Sequence, residues 1–577
     1  MLLVTTPDQR FRDANREICY LGEWSRPFPE QDAESAASLP YHWDDRACAA
    51  NDFDYLRKLF ERALAACAAQ LNTIHATSYD NRYWRILIGP WLSAFLDISF
   101  DRYRCICMAR DSGRIDRCEI SVLPSYSWVQ LRTSDFYSAS ATDRFSHDLF
   151  GRIIRALRPF PFDQQPSTSD PPPPESSKTS STKARLRDLC VQLAQRAAPH
   201  RFIVMTSDVF SWKEKLKLHA HLCALPFISA APRDYPNAPP SEQLRSALRV
   251  SLGNSEFERL VSQLLPEYFP TIYLEGYKRL RTLALELFPK SAKLIVTGAA
   301  QTGDEFFKCW TAEQLQTNSK LAIVQHGGLY GTNAWCSHEY NEVHSADRYY
   351  SWGWQDQHPA VAPLDAPKLI GIAGKIKPAN KGALLMVLNA APRYSYRHAS
   401  WPISTQYLSY LADQVKFIEA LPRAAAKHLR VRPYPLERGW EAEKRLRARL
   451  PDLILCGQQS MYDELNQSRL FIGTCNITTY LEALAANFPT VLFWNPFHWE
   501  NRPSAAPYFE ALRNADILFN DPLRAAAHVD KIWQSPLDWW HSSKVQEARR
   551  CFVERFAKCS TDWLSNWVSA LKSLAQS

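Results

Sequence analysis

Short apolar runs that end in Gly, Thr or His recur along this chain, separated by stretches with helical spacing. LLVTTP at Leu2–Pro7 and EICYLGEW at Glu17–Trp24 predict short buried strands. From about Phe53 to Ile74, Tyr55, Leu56, Leu59, Phe60 and Leu64 keep a helical period, and a second apolar helix is predicted to begin near Asn81. RFIVMT (Arg201–Thr206), KLIVTG (Lys293–Gly298) and LAIVQHGG (Leu321–Gly328) each read as a strand running into a turn, with helical segments between them. The alternation restarts with a strand at Ala383–Asn389, a helix at Thr405–Leu421, and strands at His428–Pro435 and Arg469–Thr474. A helix at Thr479–Phe488 and a strand at Pro489–Asn495 follow. Alternation of this kind predicts mostly parallel sheets. Two successive units, divided between Gly353 and Lys381, make two doubly wound α/β domains the economical solution, covering residues 1–352 and 353–577. Open α/β sheets bind ligands beyond the carboxyl ends of their strands, so the strand-to-helix loops are where chemistry is expected.

One stretch breaks the pattern. Arg158 to Arg185 is rich in Pro, Ser and Thr, with prolines at each of Pro171 to Pro174. It lacks the apolar content to order itself and is expected to be a mobile, disordered insertion in the first unit. Elsewhere 577 residues with 46% hydrophobic and 22% charged residues exclude a largely disordered chain and exceed one ordinary core. The balance of 68 Lys+Arg against 60 Asp+Glu gives a net charge of +8. Spread over this length, that charge fits an anionic small ligand better than a nucleic acid, so no nucleic-acid partner is expected. The 14 cysteines are scattered without paired spacing, as buried reduced thiols would be. No signal peptide is apparent, and the longest apolar stretch, Ile86 to Leu96, is broken by Gly89, Pro90 and Ser93. A soluble cytoplasmic protein is expected.

Five clusters carry candidate chemistry. Gln325-His326-Gly327-Gly328 leaves a strand directly, where glycines let backbone N–H groups approach a ligand and the His points into a cleft. Asp304 and Glu305 follow the strand KLIVTG and are placed either as base or nucleophile, or as cap and first turn of the next helix. Asn476, Thr478 and Thr479 open a helix bearing Glu482, a hydroxyl-rich helix start suited to phosphate, with the acid within reach of a ribose. Arg432 ends a strand and can serve as a phosphate donor or as a surface Arg on a rigid turn. His42, Asp44 and Asp45, with Arg82 further on, are groups that bind sugars, or else caps and core neighbours of the surrounding Trp residues. No P-loop, dinucleotide fingerprint, zinc-ligand spacing or nucleophile elbow is present, so no metal is expected.

Taken together, LLVTTP, LGEW, YHWDDR, RYWRILIGPWL, QHGGLYGT, RYYSWGW, PRYSYR and NITTYLEALAANFPTVLFWNP resemble a family of bacterial transferases from surface-polysaccharide gene clusters, nearly end to end. That family resembles GT-B glycosyltransferases of capsule and O-antigen synthesis that use CMP-activated 2-keto sugars such as Kdo, pseudaminic or legionaminic acid. The resemblance implies a C-terminal domain holding the nucleotide-sugar donor, an N-terminal domain holding the glycan acceptor, and no separate cofactor. In such enzymes a His-Pro pair and a Ser/Thr helix start grip the phosphate. Thr478 and Thr479 match the second element, whereas Arg432-Pro433 stands at the place of the first. Arg393 and Arg397 follow the first strand of the C-terminal unit and are expected to hold the sugar carboxylate or phosphate. His326, or the Asp304/Glu305 pair, would act at the reacting carbon or acceptor hydroxyl, with Gln325, Gly327, Gly328 and the His42 cluster on the acceptor side. A polyol-phosphate transferase, a nucleotide-sugar epimerase and a non-catalytic scaffold of polysaccharide assembly are the alternatives. Peripheral contact with the inner membrane or with assembly proteins is compatible with all of them.

Overall fold

Three parallel five-stranded sheets, rather than two, organise the chain. The computed structural model describes residues 1–12, 16–28, 36–166, 199–227 and 234–577. The first sheet holds β1 (Leu2–Val4), β2 (Ile18–Tyr20), β3 (Ala37–Ser38), β4 (Arg117–Ile120) and β5 (Phe162–Gln164), in the order β3-β2-β1-β4-β5. The middle sheet runs β6 (His200–Met205), β7 (Ser291–Thr297), β8 (Lys320–Val324), β9 (Arg348–Ser351) and β10 (Val361–Pro363), with its strands in sequence order. The third contains β11 (Ala383–Val387), β12 (Leu429–Arg432), β13 (Ser468–Gly473), β14 (Thr490–Phe493) and β15 (Leu518–Phe519), in the order β12-β11-β13-β14-β15.

The expected α/β class holds, and the middle and third sheets form two Rossmann-like units that meet at their carboxyl edges. The expected division does not match the layers. Residues 1–352 contain one whole sheet and most of another, and β10 extends the middle sheet past the proposed boundary. The C-terminal helix Trp563–Gln576 also returns to the middle sheet: Trp567 is fully buried against Tyr350 and donates its indole N–H to Asp365 O at 2.9 Å. Of the Pro-rich stretch, Phe162–Gln164 is the edge strand β5, fixed when Gln165 N donates to Ile120 O at 2.8 Å. Residues 167–185 of it lie outside the described residues.

Two long helices tie the layers together. Arg46–His75 starts earlier than its apolar period because Asp45 caps it, accepting from Ala47 N and Cys48 N. Asn81–Asp111 is buried along most of its length and packs against Arg46–His75 and the helices Asp143–Leu157, Glu305–Leu315 and Ser337–Ser345. Its buried acids and bases matter for the site. Asp97 pairs with Arg57 and accepts from His398 N at 3.0 Å, while Arg102 donates to Ser395 O at 3.0 Å. A buried helix thereby pins the loop that follows β11. No described helix is long and apolar enough to cross a membrane.

Candidate functional site

The middle and third sheets touch where β8 and β13 end. Gly328 N donates to Thr478 Oγ1 at 3.1 Å, and a Cβ added to Gly328 would lie 2.7 Å from Thr478 Cα. No real Cβ sits so close, so glycine is what lets the two edges meet. On the third sheet this is the switch point, since the chain goes from β11 outward to β12 and returns to β13 on the other side.

A cavity of about 340 Å³ opens elsewhere, on the first sheet, but the contact just described borders two others. The first, about 200 Å³, is lined by His326, Gly327, Gly328 and Tyr330 from the middle unit. From the third unit come Asn389, Arg397, Trp401, Arg438 and Thr478. The second, about 420 Å³, continues past Ile477 and Tyr434 to Arg432, Tyr462, Thr479, Glu482 and Lys368.

The smaller cavity is built for negative charge. His326 is about a third exposed, and its Nε2 lies 3.0 Å from the Glu342 carboxylate and 3.3 Å from the Tyr330 hydroxyl. Burial favours the neutral ring, but Glu342 outweighs it, with a further contribution from Asp208, and the pKa is raised above 6.5. The ring is therefore held toward imidazolium. Arg397 lies 3.9 Å over the Trp401 ring, and its Nη1 is 3.2 Å from His338 Nδ1. Burial drives the His338 pKa well below its usual value, with Arg397 acting in the same direction, so that ring is a neutral acceptor. Among the described residues no carboxylate pairs with Arg397 or Arg438, and none lines this cavity. The helix Thr478–Ala485 has no side-chain cap, so its first N–H groups add positive potential.

In the larger cavity the charges are already matched. Arg432 pairs with Glu464 at 2.6 Å and donates to Gln459 O at 3.0 Å. Glu482 receives Lys368 at 3.2 Å and the Tyr462 hydroxyl at 3.4 Å. Thr479 lies on the wall, and Tyr434 presents a 38% exposed ring between the two cavities.

Several sequence candidates are placed away from these cavities, in structural roles. Asp304 caps the helix Glu305–Leu315, accepting from Phe307 N at 3.0 Å, and burial pushes its pKa up. Glu305 is fully buried, pairs with Lys308 at 2.7 Å and accepts from Tyr273 and from Thr133 N. The capping alternative thus describes Asp304, and a core ion pair describes Glu305. Asn476 is buried and bridges the units through Thr332, Asn333 and Tyr480. Gln325 is buried, accepts from Trp352 N and Trp354 Nε1, and donates to Gly327 O, shaping the loop rather than facing a ligand. Arg393 reaches the first unit, donating to the carbonyls of Trp24 and Arg26 with Asp143 3.6 Å away.

The proposed sugar cluster is likewise internal. His42 is buried against Asp101 at 3.1 Å. Asp44 accepts from Tyr41 N and Gln406, and Asp45 is the helix cap already described. Arg82 pairs with Asp347 at 2.8 Å and with Ser345 O. His42, Asp101 and Cys105 lie within metal-ligand distance of one another, but Asp101 also carries Tyr41 and the Arg102 guanidinium. Tyr330 stood inside the Gln325–Gly331 motif without a role assigned to it, and Glu342, Trp401 and Arg438 escaped sequence reasoning. Nothing local marks the last three, because Glu342 reaches His326 only through the packing of its helix, and Arg438 lies in the loop beyond β12.

A search of curated proteins by sequence returns no match. Solved structures with some likeness include TarM, at 12% identity over 52% of this chain and 58% of that one, with a TM-score of 0.32. Another is the S. aureus MnaA–UDP co-structure, at 11% identity over 65% and 96%, with a TM-score of 0.38. A third is Acinetobacter baumannii MurG, at 12% identity over 52% and 78%, with a TM-score of 0.30. This chain spans little more than half of TarM's length, and likenesses at these scores carry no argument about activity. The sequence profile of the LIC12162 family of transferases, by contrast, matches residues 1–571, and the chain belongs to that family.

Proposed function

We propose that this transferase is a glycosyltransferase of GT-B type. In this reading the Thr478 cavity receives the phosphate of a nucleotide-sugar donor, a CMP-linked 2-keto acid such as Kdo, pseudaminic or legionaminic acid, and the sugar passes to a cell-surface polysaccharide. The observation that carries it is the Gly328–Thr478 contact, which gathers Arg397, Arg438, His326 and an open helix start around one acid-free cavity. As the sugar–phosphate bond breaks, negative charge grows on the departing nucleotide, and fixed cations and N–H groups stabilise it without rearrangement. Two guanidiniums suit a donor with two anionic groups, its phosphate and its sugar carboxylate. With Glu342 favouring its charged form, His326 serves the leaving side as a cation or proton donor rather than as a base.

The nucleoside would occupy the larger cavity, with its base against the Tyr434 ring and its ribose near Thr479 and Glu482. Side chains supply the positive charge, so the proposal includes no metal or cofactor. It places the protein in the cytoplasm, at the inner face of the membrane where surface glycans are assembled.

The test is nucleotide release by the full chain from CMP-Kdo, CMP-pseudaminic acid, CMP-legionaminic acid and a UDP-sugar comparator. CMP release that falls about 10²- to 10⁴-fold in His326→Ala is expected, the usual span for a proton-transferring group. Release of UDP alone would overturn the donor assignment. Turnover of none of them would remove the glycosyl-transfer reading.

A further inference from the structure

His326 and Arg397 each lean on the helix Ser337–Ser345, His326 through Glu342 and Arg397 through His338. That helix also borders a small cavity of its own, which shares no lining residue with the Thr478 cavity. His338, Asn341 and Glu342 line it, and their spacing of three and four residues puts them on one helical face. Pro90 and Ser93 of the helix Asn81–Asp111 line it as well. Its volume is about 10 Å³, room for a single water.

The hydrogen bonds around this cavity do not close by themselves. Arginine carries only N–H donors, so His338 Nδ1, 3.2 Å from Arg397 Nη1, must be the bare nitrogen. The ring is neutral, because burial, Arg397, His326 and Arg57 all oppose a charge on it. A neutral ring with a bare Nδ1 carries its proton on Nε2, and that buried atom has no partner among the described residues. Glu342 Oε1 faces His326 and Tyr330, while its Oε2 is buried without a donor. Asn341 Oδ1 is buried without a donor too. The other polar walls are engaged: Ser93 Oγ accepts from Arg57 at 2.8 Å, Gln301 donates to Gly298 O at 2.8 Å, and Ser337 Oγ is within reach of the Asp97 carboxylate.

One donor and two acceptors therefore border one water-sized space. Each of them left bare would carry the full desolvation cost of a buried polar group. A water accepts from one N–H and donates to two oxygens, which is the count these atoms require. Internal waters make about three such bonds. Glu342 and Asn341 are only 4% and 8% exposed, so bulk solvent does not supply them.

We infer that one buried water joins His338 Nε2, Glu342 Oε2 and Asn341 Oδ1, and that His338 is a positioning residue which holds Arg397 directly and His326 through that water and Glu342. The contacts run from Arg397 to His338, to the water, to Glu342 and to His326, so one buried frame sets both cations of the Thr478 cavity. Gly89 leaves space for the frame, since a Cβ there would lie 2.9 Å from Asn341 Oδ1. The water and the tautomer belong to the protein itself. Only the consequence for donor binding rests on the glycosyl-transfer reading.

Nitrogen-15 spectra of histidine-labelled full chain, with His338 assigned by the signals lost in His338→Asn, are expected to show a neutral ring protonated on Nε2 near neutral pH. A proton on Nδ1, or a charged ring, overturns the inference. A crystal structure of the wild type is expected to show a water within hydrogen-bonding distance of His338 Nε2, Glu342 Oε2 and Asn341 Oδ1. A direct His338–Glu342 contact, or no water at that place, overturns it as well. These two readings decide the matter even if a variant fails to fold. In the crystal structure of His338→Leu, which can make neither hydrogen bond, the Arg397 guanidinium is expected to leave its place over Trp401, with CMP binding weakened tenfold or more. His338→Asn, whose amide oxygen can stand in for Nδ1, is expected to restore that place. An unmoved Arg397 in folded His338→Leu removes the positioning role. A displaced Arg397 with unchanged CMP affinity supports that role and counts instead against the donor assignment.

Discussion

Replacing Arg397 by Ala separates a ligand-binding guanidinium from a structural one. Its guanidinium faces the cavity, stacks on Trp401 at 3.9 Å, lies 5.4 Å over the Tyr396 ring and hydrogen-bonds the neutral imidazole of His338. No carboxylate loses its partner when it is removed. The stability cost is then the stacking interaction, about 0.5–2 kcal/mol, with about 1 kcal/mol more for the hydrogen bond that His338 loses. A nucleotide phosphate loses a charged hydrogen bond worth about 1.5–3 kcal/mol, equivalent to about 10- to 150-fold in Kd. Arg432 makes the opposite case: its removal leaves the buried Glu464 carboxylate without its ion-pair partner, so Arg432→Ala should act chiefly on stability. Arg397→Lys keeps the charge but loses the planar fork and is expected to fall between wild type and Arg397→Ala. Calorimetric titration with CMP, alongside melting curves of each variant, measures both quantities. A folded Arg397→Ala that binds CMP as tightly as wild type refutes the reasoning, as does an Arg432→Ala that loses more affinity than Arg397→Ala at unchanged stability.

Gly328→Ala should impair both folding and nucleotide binding, because its Cβ would meet the Thr478 backbone at 2.7 Å. Gly327→Ala places its Cβ 3.5 Å from Tyr330, an ordinary contact, and should be mild; equal effects in the two would contradict the contact. His326 has a folded pKa raised above 6.5, so the stabilisation from Glu342 is full below 6.5 and is lost as pH rises through the raised value. CMP affinity should decline in the same direction, and Glu342→Gln should move that decline to lower pH; a profile unmoved by Glu342→Gln would count against the pair. Burial lowers His75, His147, His498 and His528 to about 4, so their contribution is full above 6.5 and is lost as pH falls from 6.5 toward 4. Urea midpoints across that interval should fall with acidification, and a flat profile would show that these rings are not buried neutral.

Much of the middle and third units was legible because their central strands are largely apolar, five to seven residues long, and end in recognisable turns. Of the first sheet only β1 and β2 were legible, in LLVTTP and EICYLGEW; β3, β4 and β5 have two to four residues, and the join between its halves pairs β1 with β4 more than a hundred positions away. Periodicity over a handful of residues cannot announce such pairing. The site divides in the same way. His326, Gly328 and Thr478 follow strands and were visible as motifs, and Arg397 follows β11. Asp304 and Glu305 carried the same strand-exit signal, yet Asp304 caps a helix and Glu305 faces Lys308 and Tyr273. A strand exit does not tell which way a side chain turns when a neighbouring layer offers it a buried partner. Here that layer is the first unit with its long helices, which the sequence predicted from about Phe53 and Asn81 without revealing that they pack against the middle unit.

A crystal structure of the full chain grown with CMP tests the central claim most directly. The account predicts the phosphate within hydrogen-bonding distance of the Arg397 guanidinium and the N–H groups that open the Thr478 helix, with the base beside Tyr434. A phosphate bound on another surface, with Arg397 and the Thr478 helix start untouched, would contradict it.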